Sequence, residues 1–134
     1  MVFSPQHDQT DCGQACLAMI ASCYNKNYTL NYLRENSFIT REGVSLLGIT
    51  EASKKIGFDT LSARLTLERL IAEKESFPCI LHWNQNHFVV LKKISKKLFS
   101  NKYNFHLADP AHGFIKLSEE DFIKYWISND NTGI

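Results

Sequence analysis

The sequence predicts an α+β domain in which helices come first and an antiparallel sheet follows. The segment from Gly13 to Tyr24 is apolar on every side, which is typical of a buried central helix. After Pro78 the chain changes to short apolar runs separated by turn residues, which are typical of strands. Helices and strands that are segregated along a chain in this way form α+β domains.

Capping residues and apolar spacing predict where the helices begin. Thr10 or Asp11 is expected to cap the first helix, because a short oxygen side chain accepts the free N–H groups of a first turn. The later helices are predicted to follow Thr29, to run from Ser45 to a stop at Gly57, to span Thr66–Lys74, and to run from Ser118 through Trp126.

Short apolar runs predict five strands. They are Phe58–Leu65, Cys79–Trp83, His87–Ile94, Tyr103–Ala108 and Phe114–Leu117. If the third and fourth of these form a hairpin whose loop is centred near residue 98, His87 faces Asp109 and Val89 faces Leu107. The same register places Leu91 opposite Phe105, and it places His106 opposite Val90 on the other side of the sheet.

Length and composition fit one domain without a nucleic acid partner. The chain has 134 residues, of which 44% are apolar, and its formal net charge is +1. Domains cluster near ~100–150 residues, so residues 1–134 are expected to form a single unit. Binding to phosphates needs a clustered positive excess. The only basic cluster, Lys92 to Lys97, is interpreted as a solvated strand end and loop.

Targeting signals and cysteine usage indicate a soluble chain in a reducing compartment. The longest apolar run, Ala15 to Ala21, is far shorter than the ~20 residues of a membrane helix. The first residues lack the basic start and apolar stretch of a signal peptide. The spacing of the cysteines does not suggest a disulfide-stapled scaffold, so they are interpreted as free thiols. The cysteines are Cys12, Cys16, Cys23 and Cys79.

Cys12 is the candidate nucleophile. It lies at the N-terminal end of the buried helix, where free N–H groups and the helix dipole stabilise a thiolate. Gly13 leaves room beside it for a substrate backbone. A free cysteine is most often an ordinary buried residue. The catalytic interpretation therefore depends on a base that another segment of the fold supplies.

Among the five histidines, strand geometry favours His87 as that base. A histidine opposite Asp109, roughly 5 Å away across the strands, has the orienting half of a catalytic triad. A structural hydrogen bond at the strand ends is the alternative explanation of this pair. His82 has no carboxylate within obvious reach, and His7 and His112 are interpreted as surface loop residues.

A glutamine before the helix is the candidate oxyanion donor. The Gln6 amide lies on the segment that leads into the helix, and together with the Cys12 backbone N–H it would form a two-donor oxyanion hole. Gln9 and Gln14 are rivals that spacing alone does not exclude.

Four segments in sequence order resemble the peptidase C39 family. They are Pro5–Met19, Glu42–Gly48, His87–Leu91 and His106–Pro110. The members of that family are papain-like, leader-removing domains of ABC transporters that export bacteriocins and peptide pheromones. The similarity extends from about Pro5 to Trp126 and implies a papain-like fold. It also implies that Cys12 is the nucleophile, His87 the base, Asp109 the orienting acid and Gln6 the oxyanion donor.

The resemblance also implies a substrate, partners and a location. The substrate would be a precursor of a bacteriocin, a lantibiotic-like peptide or a pheromone, cleaved after a Gly-Gly pair without any cofactor or metal. The partners would be the precursor and the membrane and ATP-binding domains of an ABC transporter, at the cytoplasmic face of the cell membrane. Such leaders are amphipathic helices that need an apolar groove. Candidates for this groove are Leu46, Leu47 and Ile49, although apolar residues at helical spacing are usually core.

The chain departs from the family in one respect. The family domain is usually fused to membrane-spanning and ATPase regions, whereas this sequence has neither, and no Gly-x-x-x-x-Gly-Lys-Ser/Thr loop occurs. We therefore expect an excised N-terminal domain or a free-standing relative.

Three alternatives remain open. A zinc site could use Cys12 and Cys16 with His82 and His87, although it would leave Asp109 and the glutamine unused. Another Cys–His–Asp enzyme, such as an acyltransferase or a transglutaminase-like protein, would share the chemistry as far as the thioester. A substrate-docking domain without turnover would show no unusual thiol reactivity.

Overall fold

The computed structural model describes residues 1–6, 11–35, 39–40, 43–44, 46–73, 77–84, 87–127 and 133–134. The helices are α1 (Cys12–Cys23), α2 (Leu30–Glu35), α3 (Leu46–Lys55), α4 (Leu67–Ala72) and α5 (Glu119–Trp126). The strands are β1 (Ile39–Thr40), β2 (Gly43–Val44), β3 (Cys79–Trp83), β4 (His87–Lys96), β5 (Tyr103–Asp109) and β6 (Gly113–Ser118).

The main sheet is an antiparallel meander of four strands in the order β3-β4-β5-β6. Each of its strands was predicted from the sequence, with bounds that differ by at most two residues. A second, two-stranded ladder of β1 and β2 was not predicted. The α+β prediction is confirmed, with the N-terminal helix packed on the antiparallel sheet.

The predicted helix starts are largely confirmed. The hydroxyl groups of Thr29, Thr66 and Ser118 accept backbone N–H groups from the first turns of α2, α4 and α5. After α3, Gly57 adopts a left-handed φ of 96°, as a C-terminal stop requires. Asp11 makes no side-chain cap to α1, because its backbone is already helical at φ −94° and ψ 0°. Thr10, Ser45 and Lys74 lie outside the described residues.

The predicted strand Phe58–Leu65 is wrong. Among the described residues of this segment, Leu65 alone forms a β-bridge, which is an isolated one to Gly133. Residues 59–64 are exposed, and no described strand lies beside them. A strand-like composition is therefore not sufficient for a strand, which also needs a partner with which to pair.

The predicted register of β4 on β5 is also wrong. Leu107 pairs with Leu91 instead of Val89, because β4 continues to Lys96 and the turn is centred nearer residue 100. Up to Leu91, this shift of two residues keeps the side chains on their predicted faces, since strand side chains alternate with a period of two. A bulge between Leu91 and Lys93 then places Ile94 opposite Phe105.

The bulge also changes the environment of His106. This residue lies opposite Lys93 on β4 and Lys116 on β6, and not opposite Val90 as predicted. The extra residue in β4 was not signalled by the hydrophobic pattern.

The sheet is covered on both faces. One face of β4 and β5 packs through Phe88, Val90 and Ala108 against Cys12 and Cys16 of α1. The other packs against α5, in a cluster that includes Val89, Leu91, Phe105, Leu107, Phe122 and Trp126. Burial on both sides explains why Phe88 to Leu91 form a continuous apolar run.

Candidate active site

Helix α1 begins at Cys12, beside the first residue of β4. The Cys12 side chain is 3% exposed and packs in the cluster between α1 and the sheet. Cys12 and Cys16 share one face of the helix, because residues four apart lie one above the other. The apolar contacts on that face fix the position of the helix end and of the thiol.

His87 and Asp109 meet at one edge of the sheet. His87 is the first residue of β4 and Asp109 is the last of β5, so both side chains emerge where these strands separate. The His87 Nε2 atom lies 2.7 Å from Asp109 Oδ1. The two side chains are 22% and 5% exposed, so the bond is largely shielded from water.

The ionisation of His87 reflects both of its neighbours. Burial lowers the pKa of His87, but hydrogen bonds to Asp109 and Cys12 outweigh burial and raise this pKa to about 9. Because Nε2 faces the carboxylate, Nδ1 is the nitrogen left to interact with the Cys12 thiol. The structure therefore brings together three residues that lie far apart in the sequence.

Asp109 accepts three hydrogen bonds. Its Oδ1 atom accepts from His87 and from the Ala111 backbone N–H at 2.9 Å, and its Oδ2 faces His112 Nδ1 at 3.0 Å. Burial raises the pKa of Asp109, but these bonds outweigh it and lower the pKa to about 2. Asp109 is therefore a carboxylate at neutral pH.

The contact of His112 with Asp109 was not anticipated. His112 is a surface loop residue, as predicted, with 73% of its side chain exposed. Its backbone N–H also donates to the Asp109 carbonyl, and this turn brings its ring back to the carboxylate. The Asp-Pro sequence at the end of β5 is the signal that could have predicted such a turn.

The N-terminal segment brings Gln6 to the same place. The Gln6 backbone N–H donates to the Pro110 carbonyl at 3.1 Å, beside the turn that follows Asp109. Gln6, His87 and Asp109 line one cleft of about 550 Å³. The Oε1 atom of Gln6 is buried and has no hydrogen-bond partner within the described parts of the chain.

The rival glutamines differ from Gln6. Gln14 lies within α1, is 3% exposed, and does not line this cleft. Both polar atoms of its side chain lack a partner in the described portion of the molecule. Gln9 lies outside the described residues, as does His7.

The other cysteines and His82 lie in different environments. Burial is the main cause that raises the pKa of Cys16, and it raises the pKa of Cys79 to about 12. Cys23 is an exposed free thiol. The His82 ring packs against Phe88 with 5.2 Å between centroids. Over the residues that the structure describes, no group of three or more His, Cys, Asp or Glu side chains could hold a metal ion.

A second cavity, of about 360 Å³, lies between α1, α3 and β3, and we call it the α3 groove. Leu46 and Ile49 line it together with Leu17, Ile20, Phe58 and Ile80. Leu47, the third residue predicted for leader binding, is 63% exposed and is not among the lining residues.

The fold defines the class of the molecule, which is an α+β domain of the papain-like cysteine peptidase type. The chain belongs to the peptidase C39 family, whose sequence model matches residues 1–129.

Curated relatives are transport and processing proteins much longer than this chain. The chain is 38% identical over 121 residues to the colicin V secretion/processing ATP-binding protein CvaB of Escherichia coli, covering 90% of this chain and 16% of that protein. It is 32% identical over 130 residues to the transport/processing ATP-binding protein ComA of Streptococcus pneumoniae, covering 92% of this chain and 17% of that protein. The chain thus spans about a sixth of the length of these relatives.

Solved structures share the fold. A double glycine motif protease from an AMS/PCAT transporter, crystallised with its leader peptide, is 33% identical with a TM-score of 0.81, over 92% of this chain and 84% of that one. The peptidase domain of Streptococcus ComA is 32% identical with a TM-score of 0.76, over 92% of this chain and 90% of that one. In this chain, none of the helices described is long and apolar enough to span a bilayer.

Proposed function

We propose that this chain is a cysteine endopeptidase that removes the leader from a precursor peptide by cleavage after a Gly-Gly pair. The observation that carries the proposal is the contact of His87 with both Cys12 and Asp109, together with a cleft that His87 and Asp109 line. A pKa of about 9 keeps His87 protonated at neutral pH, and an imidazolium is the partner that a catalytic thiolate needs.

The roles of the four residues follow from their positions. The Cys12 thiolate attacks the scissile carbonyl, and the resulting oxyanion accepts hydrogen bonds from the Gln6 amide and the Cys12 backbone N–H. His87 donates its proton to the leaving amine as the C–N bond breaks, which leaves a thioester on Cys12. A water then attacks the thioester, His87 takes the proton from that water, and the acid and the thiolate are released. Asp109 holds the His87 ring and stabilises its charged form.

A Gly-Gly requirement has a simple physical basis. If the path of the substrate to the Cys12 thiol is narrow, it accepts residues without side chains and rejects larger residues by steric clash. The similarity to a double glycine motif protease, 33% identical to this chain, supports this specificity.

The α3 groove is the proposed site for the leader. Its lining includes Leu46 and Ile49, which the sequence had suggested for this role. An amphipathic helix would lay its apolar face on such a groove. The solved relative that was crystallised with its leader peptide supports the idea that leaders are bound as well as cut. Leu47 lies outside the lining and is not part of the proposed site.

The relatives support a partner and a location. CvaB and ComA are named as processing proteins that are also ATP-binding, which supports action together with the membrane and ATP-binding domains of an exporter. A domain of that kind would work at the cytoplasmic face of the membrane.

The decisive experiment is incubation of the chain with a panel of leader-bearing precursor peptides, with the products read by mass. We expect one cut after Gly-Gly, no cut in Ala-Ala variants, and no cut by Cys12→Ala. Cys23→Ala is the matched control, because this exposed cysteine lies away from the cleft. Cleavage by Cys12→Ala at the wild-type rate would refute the proposal.

The same assay separates two alternatives. An acyl-transfer enzyme would give a product carrying the mass of an acceptor instead of a free acid. A docking domain without turnover would bind the leader but leave both the peptide and Cys12 unmodified, even with a mild thiol reagent at neutral pH.

A further inference from the structure

The turn between β4 and β5 presents two apolar side chains to solvent. Leu98 is 81% exposed and Phe99 is 99% exposed. The Lys97 N–H donates to the Lys102 carbonyl at 2.8 Å and closes the turn. Phe99 has a φ of 58°, in the left-handed region that favours Gly and Asn. A turn that only reversed the chain would gain nothing from Leu and Phe at these positions.

Lysines surround this turn. The exposed lysines nearby are Lys93, Lys96 and Lys97 on the hairpin and Lys116 on β6. Lys93, His106 and Lys116 lie side by side across three strands. No carboxylate pairs with these four lysines within the described parts of the chain, whereas Lys102 pairs with Glu120 on α5 at 3.3 Å. The sequence from Lys92 to Ala108 contains no acidic residue.

Three neighbouring lysines affect the ionisation of His106. Burial lowers the pKa of His106, and Lys93, Lys116 and Lys92 lower it further. Its Nε2 atom lies 2.8 Å from Ser95 Oγ, which keeps the ring in this row. The face of the sheet that carries Lys93, His106 and Lys116 is therefore positively charged.

We propose that the tip of the β4–β5 hairpin docks on an anionic lipid bilayer, with Leu98 and Phe99 inserted and the surrounding lysines among the headgroups. Apolar side chains at the tip of a basic surface match the apolar and anionic layers of such a membrane. Lysine stems extend along apolar groups while their ammonium groups remain at the polar layer. This docking does not depend on the proposed peptidase activity.

The shape of the tip favours a bilayer over a protein partner. A specific protein interface buries about 800 Å² on each side. Two adjacent side chains on a narrow turn offer far less area, but lipids close around an inserted group from all sides. The lysines around the tip add an electrostatic attraction to the anionic headgroups.

Vesicle co-sedimentation of the whole chain tests the proposal. Vesicles of pure phosphatidylcholine are compared with vesicles in which about a third of the lipid is phosphatidylglycerol, at low and high salt. We expect binding only to the anionic vesicles and its loss at high salt. Each lysine near an anionic surface strengthens binding roughly fivefold, so Lys96→Gln with Lys97→Gln should weaken binding about 25-fold. Leu98→Ser with Phe99→Ser should weaken it at least tenfold.

Matched variants elsewhere on the chain make the test specific. Lys54→Gln with Lys55→Gln removes the same charge from the end of α3, and Leu61→Ser changes a residue that is 93% exposed on a different segment. Both should bind like the wild type. Equal losses in these variants, or equal binding to neutral vesicles, would overturn the proposal. A dimer in sedimentation velocity that Leu98→Ser with Phe99→Ser abolishes would instead assign the tip to a second copy of the chain.

Discussion

His87 and Asp109 are joined by a 2.7 Å hydrogen bond although neither is the other's partner across the sheet. His87 pairs with Trp83 on β3, and Asp109 pairs with Gly113 on β6. The ladder between β4 and β5 begins only at Val90 and Ala108, so the strands have separated where the two side chains meet. The bond therefore connects two strand ends across an open edge, where a substrate can approach.

Asp109→Asn should greatly reduce turnover while preserving the fold. The amide keeps the size of the side chain but removes the charge that stabilises the His87 imidazolium. In a Ser-His-Asp triad the equivalent change lowers kcat by ~10⁴, and a thiolate–imidazolium pair should lose at most that much. Kinetics combined with an NMR titration should show a lower pKa for His87. Asp121→Asn on α5 is the control, and an unchanged His87 pKa in Asp109→Asn would contradict the assignment.

His112 should act as a positioning residue through Asp109. His112→Ala removes one donor to Oδ2 and should lower kcat/KM about fivefold, since such a bond is worth ~1 kcal/mol. His112→Asn places an amide N–H near the position of Nδ1 and should restore most of the rate. A role in leader binding would instead raise KM in both variants without affecting kcat.

Activity should have an alkaline limit near pH 9. The pKa of His87 is raised from 6.5 to about 9. The charged form of His87 therefore contributes fully to the free energy of unfolding below pH 6.5, and this contribution is lost as the pH rises through 9. The pKa of Asp109 is lowered from 3.8 to about 2. At acid pH, the contribution of this carboxylate to the free energy of unfolding is therefore lost only as the pH falls from 3.8 towards 2. A pH–rate profile and melting temperatures across this range measure both effects. In Asp109→Asn, the alkaline limit should move to lower pH.

Gln6→Ala should lower kcat by ~10²–10³, the usual effect of losing one oxyanion donor. The variant should still fold, because Gln6 is tied to the turn by its backbone N–H. Gln14→Ala is the matched control, since Gln14 does not line the cleft and should retain a rate near that of the wild type. If Gln14→Ala lowered kcat more than Gln6→Ala, Gln14 would be the oxyanion donor instead.

Leu46→Ser should weaken recognition of long leaders. It removes an apolar side chain from the α3 groove and should raise KM about tenfold for a leader-bearing peptide, since ~1.5 kcal/mol accompanies burial of such a side chain. Cleavage of a short peptide around Gly-Gly should not change. Leu47→Ser serves as the control, and an equal effect there would argue against the groove.

Local sequence rules predicted most of the secondary structure. The capping hydroxyls of Thr29 and Ser118 and the stop at Gly57 are short-range features, and they appear where the sequence placed them. Phe58–Leu65 failed because a strand also needs a partner, which is a property of the whole fold.

Residue types and spacing suggested Cys12, His87 and Asp109, and the family resemblance selected Gln6. Only the tertiary structure decided how these side chains meet. The sequence determined a thiol at the start of a buried helix and a histidine and an aspartate at strand ends. It did not determine the β4–β5 register, because apolar faces specify which side a residue occupies but not a shift of two residues. The bulge, the turn that returns His112 to Asp109, and the bond from Gln6 to Pro110 join segments whose contacts depend on how the assembled elements pack.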